Sequence, residues 1–153
     1  MLQRIQTVYL LLALVVTITC LCLPIGFFYP EGMGGDVEMY NLCAVGQEEG
    51  LSFIVWPLFA LLLLTCPINL FTIFLYNKRP LQASLCMLNI VLICLWIAAY
   101  CYYVFCDVIS HGGMGFKPAF ATWLPLVAII FYLLARRGII SDEKLVRSTD
   151  RIR

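Results

Sequence analysis

Charge is what this sequence has least of. Only 12% of its 153 residues are charged and a single residue is histidine, while the mean hydropathy is +0.95. A soluble domain carries about 25% charged residues. A soluble fold of this length would have too few polar groups to cover its surface.

The absences are also clustered. Residues 5–30, 50–77, 80–106 and 118–135 contain no Asp, Glu, Lys or Arg. A helix needs about 20 apolar residues to cross the hydrocarbon core of a bilayer. The first three runs exceed that length, which leaves room for tilt; the fourth, with 18 residues, is near the lower limit. The short alternating segments of a membrane β-barrel are missing, so helices are expected. Proton relays and charged-substrate sites in membranes rely on ionisable side chains. None stands in the central part of any run, which argues against a proton-coupled transporter. Ser-His-Asp, Cys-His, phosphate-loop and zinc-protease patterns are missing as well. Neither a cofactor nor a metal is expected.

What charge there is falls unevenly. Nine of the ten Lys and Arg lie at Arg4, at Lys78 and Arg79, and from Arg136 onward. The segment 29–50 holds five acidic residues and no basic one. The positive-inside rule then makes both ends cytoplasmic. The first run lacks a small-x-small cleavage site and is longer than a signal-peptide core, so it is expected to stay as an anchor.

The expected fold is an all-α integral membrane protein of one domain, residues 1–153. It is a four-transmembrane-helix bundle with helices at about 5–28, 51–77, 81–106 and 118–135. Pro24 and Gly26 allow a bend in the first helix, Pro57 and Pro67 suggest kinks in the second, and Pro125 suggests one in the fourth. Phe27, Phe28 and Tyr29 are expected in an aromatic belt, as are Trp123 and Tyr132 at opposite surfaces. The Gly-rich outer loop leaves room for a short strand or helical turn around 37–44. Gly138 is expected to end the fourth helix. Ser141 would then cap a short amphipathic cytoplasmic helix within the tail, 136–153. Lys144, Arg147 and Arg151 share one face of it and would dock anionic lipid or a protein partner.

Within the runs, Asn69 and Asn89 are equally far in sequence from Arg79. An antiparallel hairpin would bring them to one depth, as an interhelical clasp or as the polar lining of a small-ligand pocket. Most of the eight Cys read as small buried hydrophobes. Cys43 and Cys106 both fall near the outer face, where a disulfide can persist. Asp107 and His111, four apart, are a weak metal signal without a defined ligand spacing. The basic tail is short and lacks interleaved aromatics, so nucleic acid is not an expected partner.

The two ends carry a resemblance. The start, Met1-Leu2-Gln3-Arg4-Ile5-Gln6-Thr7, and the close, Arg136-Arg137 followed by Asp142-Glu143-Lys144-Leu145-Val146-Arg147-Ser148, resemble those of a small bacterial inner-membrane family catalogued as a domain of unknown function. The resemblance implies a four-helix inner-membrane protein with no assigned reaction and no catalytic residues. It also draws attention to Gln3, Arg4 and Gln6, which would meet Asp142, Glu143 or Asp150 in a small cytoplasmic cap. Two function classes follow. One is a structural or accessory membrane protein working through lipids, a protein partner or a second copy of itself. The other is a binder of a lipid-like or quinone-like molecule between the helices.

Overall fold

The computed structural model describes residues 2–29, 37–46, 50–75, 79–110 and 115–150; within these, the side chains of residues 2–4, 46, 106–110, 144, 147, 149 and 150 lie outside the description.

Four helices carry the apolar runs: α1 Leu2–Cys22, α2 Trp56–Phe74, α3 Arg79–Ser110 and α4 Leu124–Asp150. Each contains a span long and apolar enough to cross a membrane. Their contacts run in a cycle, α1 to α2, α2 to α3, α3 to α4 and α4 to α1. At a rise of about 1.5 Å per residue, α3 is roughly 48 Å long. That exceeds the roughly 30 Å of a hydrocarbon core, so its ends project beyond such a layer.

The protein is not purely helical. Short strands β1 Gly26–Tyr29, β2 Val37–Met39, β3 Ala44–Gly46, β4 Gly50–Ser52 and β5 Gly115–Pro118 form one antiparallel sheet in the order β4-β3-β2-β1-β5. Gly26 stands opposite both Met39 and Pro118 in the register. The all-α expectation is corrected here, and the reason lies in Pro24. Its ring disfavours the helical conformation at Leu23 and it has no N–H to donate. Helix α1 therefore stops at Cys22, and the apolar residues after it pair as a strand instead of adding a turn. Phe27, Phe28 and Tyr29 lie in that strand. Phe28 is buried, its ring 4.8 Å from that of Phe116.

Two further expectations change. Pro57 sits in the first turn of α2, where its missing N–H leaves no bond unmade, so only Pro67 lies inside that helix. Gly138 does not end α4. The helix runs through it to Asp150, and Ser141 lies within it and not at a cap. Gly138 serves packing: a Cβ there would come 2.9 Å from Gln6 Cγ. Without a side chain, α4 approaches α1 closely while the backbone stays helical.

The core has two parts. Near the sheet, Cys20, Ile25, Phe28, Met39, Leu58, Trp96 and Tyr100 pack together. Deeper among the helices, Leu10, Ala13, Cys86, Ile93, Tyr132 and Ile139 form a second cluster. The large apolar side chains left exposed stand along all four helices, among them Val15, Leu64, Val91 and Ile130.

Candidate functional site

Polar groups are buried at three levels along the helices, and each level treats them differently. The first is the junction with the sheet. Asn41 follows β2 and is fully buried. Its Nδ2 donates to the Cys20 carbonyl at 2.7 Å, and its Oδ1 accepts from Trp96 Nε1 at 3.0 Å. One amide thus ties the end of α1 to α3. The Trp96 ring stacks on Tyr100 at 5.4 Å. The Tyr100 hydroxyl donates to the Ile25 carbonyl at 3.2 Å, and Thr122 Oγ1 donates to the same oxygen. Ile25 N donates to the Met39 carbonyl at 2.7 Å. The side chains here have partners, and the junction is stiff because each bond crosses between elements.

The second level is the end that holds both termini. Gln6 Nε2 donates to Asp142 Oδ2 at 2.6 Å in a buried contact between α1 and α4. Arg79, at the start of α3, donates from a guanidinium nitrogen to the Asp142 carbonyl at 3.2 Å. Gln82 Nε2 reaches the Thr72 carbonyl at 3.2 Å and ties α3 to α2. The cap expected from the two ends forms through Gln6 and Asp142. Arg79 adds a third helix to it, which the sequence reading did not foresee.

The third level lies between these two. Asn69 and Asn89 are both fully buried, as expected, but they do not clasp each other. Asn69 Nδ2 donates to the Leu10 carbonyl on α1 at 3.1 Å, and its Oδ1 is unpartnered. Among the described residues, neither side-chain polar atom of Asn89 has a partner, and neither does the Tyr132 hydroxyl. Tyr132 is fully buried. It packs in one cluster with Cys86, which precedes Asn89 by three residues, or about one turn. Arg136 Nε, one turn beyond Tyr132 in sequence, is also buried and has no partner among the described residues. The threonines of the helices behave differently. Thr17, Thr65 and Thr72 each donate to a carbonyl of their own helix. A hydroxyl on a helix can satisfy itself locally, but these Asn and Tyr side chains are aimed between helices.

The sequence profile of the family described as Domain of unknown function (DUF4293) matches residues 2–152. The chain belongs to this family. A search of curated proteins finds no match. The family description assigns no reaction, so it adds no residue to the three levels.

Of the other sequence candidates, Cys43 is half-buried between β2 and β3, and the Cys106 side chain lies outside the description. Lys144 and Arg147 lie on α4, also with side chains outside the description, and Arg151 and His111 lie outside the described residues. Asn41 and Trp96 were missed. The signal available was an Asn within the acidic segment 29–50 and a Trp amid an aliphatic run, each a donor that seeks a partner when buried. For Tyr132, the four- and three-residue spacing of Ala128, Tyr132 and Ala135 was the sign of an inward face.

Proposed function

We propose that the chain is a multi-pass inner-membrane protein of bacterial type, a four-helix transmembrane bundle with both termini cytoplasmic, acting as a structural or accessory component through contacts and not through a reaction of its own. The observation that carries this reading is the ring of exposed Leu, Ile, Val and Phe around all four helices, which calls for lipid as solvent. On that reading the sheet stands on the outer face, and a protein partner or a second copy of the chain meets it there or at the tail. Lys144, Arg147 and Arg151 then lie at the level of anionic headgroups, where each basic residue contributes about 1 kcal/mol of attraction. A Cys43–Cys106 bridge belongs to the same proposal; mass mapping without reductant detects it, and alkylated thiols at both positions would end it.

The test has two readouts. A C-terminal reporter active only outside the cytoplasm stays silent, and a strong signal overturns the topology. Mild-detergent extraction from the native membrane brings down a stoichiometric protein or a second copy; a chain that emerges alone overturns the accessory reading.

A second reading, a binder of a lipid-like or quinone-like molecule, is favoured by one observation, the unpartnered buried atoms of Asn69, Asn89 and Tyr132.

A further inference from the structure

The interior between α2, α3 and α4 can be read for the chemistry of what it would hold; this inference rests on the second reading above. Buried polar groups in folded proteins have a partner in roughly nine cases of ten or more. Here several fail together around one core cluster: Asn69 bonds to Leu10 of that cluster, Tyr132 belongs to it, and so does Cys86, three residues before Asn89. That concentration marks a place and not scattered defects.

The unpartnered atoms restrict the occupant. The bond from Asn69 Nδ2 to the Leu10 carbonyl fixes the orientation of that amide, so the atom left over is Oδ1, an acceptor. Asn89 presents one acceptor and one donor group whichever way its amide is turned. The Tyr132 hydroxyl can give or take. Two amide oxygens therefore need a donor, and neither can get it from a ring carbonyl such as that of an oxidised quinone. A carboxylate or phosphate fares worse, since it brings only acceptors to face them. A hydroxyl supplies one donor and an acceptor, and the Tyr132 hydroxyl proton can serve the second amide oxygen.

We propose that Asn69, Asn89 and Tyr132 line one site for a neutral hydroxyl group, carried by an apolar molecule held between the helices or by ordered water. Asn89 is the principal anchor because both ends of its amide are committed to the occupant. Arg136, one turn beyond Tyr132, supplies a further donor through Nε on the side of the termini.

The test uses the intact protein in mild detergent, with native mass spectrometry, identification of extracted small molecules and a water-selected NMR spectrum of Asn side-chain amides. A hydroxyl-bearing molecule bound to wild type and lost at least tenfold in Asn89→Leu supports the proposal with a lipid-like source. No bound mass, together with magnetisation passing from water to the Asn89 amide, supports it with water as the source. A bound molecule with no hydroxyl overturns the inference and leaves the ligand reading standing, as does a hydroxyl-bearing one retained fully in Asn89→Leu. No bound mass and no transfer from water overturns both. Should Asn89→Leu fail to fold, Tyr132→Phe, which removes one oxygen, reads the same loss.

Discussion

The junction with the sheet and the interior of the helices bury the same kinds of side chain to opposite effect. At the junction, Asn41 spends its amide on Cys20 and Trp96, and Tyr100 and Thr122 share the Ile25 carbonyl. In the interior, Asn89 and Tyr132 have no hydrogen-bond partner among the described residues. A polar group that joins two elements holds the fold, and removing it leaves its partner buried and unpaired. A polar group that bonds nothing holds nothing, and removing it costs the fold little. The first region is built for rigidity. The second leaves buried hydrogen-bonding capacity unused among the described residues, at the expense of stability.

Several changes would sharpen that contrast. The largest effect is expected from Gly26→Leu. A side chain at this position would overlap the Phe116 ring, which packs against Phe28 and Tyr100. Overpacking of this kind costs about 3 kcal/mol, so thermal unfolding in detergent should show a clear drop in Tm; an unchanged Tm would mean the junction is softer than described. Gly138→Leu comes next. It drives Gln6 away from Asp142 and separates α1 from α4, at about 2 kcal/mol. A cysteine pair placed at Gln6 and Glu143 crosslinks under oxidation in the otherwise native chain, and should crosslink less once Gly138 is replaced. Asn69→Leu removes one interhelical bond, and bonds of this type average about 0.6 kcal/mol in one membrane protein. Its Tm should fall slightly, between the values for the two regions. The smallest effect is a titration at the rim. The Tyr40 hydroxyl donates to Glu38 at 3.0 Å, and that bond and the nearby carboxylate charge hold the phenol above its ordinary pKa. In absorbance titration, with Tyr40→Phe as the reference, Glu38→Gln should move the Tyr40 midpoint down. No movement would show that the pair does not persist in solution.

How much of this was legible in the sequence follows from the length of each signal. Uncharged runs of 18 to 28 residues read as helices, and each of the four carries a helix long and apolar enough to cross a membrane. Strands of three or four residues leave no period to read, and β1 lies inside an apolar run that looks like the end of a helix. Pro24 was the available stop signal, and a bend and a stop look alike at that range. Gly138 reads as a breaker because nothing local tells that Gln6 lies against it. Buried Asn69 and Asn89 were visible as polar residues in apolar runs. Their partners were not, because the amide of Asn69 goes to a backbone carbonyl on α1 and not to the residue at the matching position of the hairpin. The Gln6–Asp142 contact was foreseeable from charge, since both chain ends had to lie on one side.

Side-by-side thermal unfolding of Asn41→Leu and Asn89→Leu tests the central contrast most directly. Both residues are fully buried and receive the same substitution, so the burial of the new side chain is matched. Asn41→Leu leaves the Cys20 carbonyl and the Trp96 indole N–H unpaired and should lose about 3 kcal/mol. Asn89→Leu should change stability by less than about 1 kcal/mol, in either direction, because it abandons no partner in the chain. Equal losses, or a larger loss for Asn89→Leu, would contradict the account.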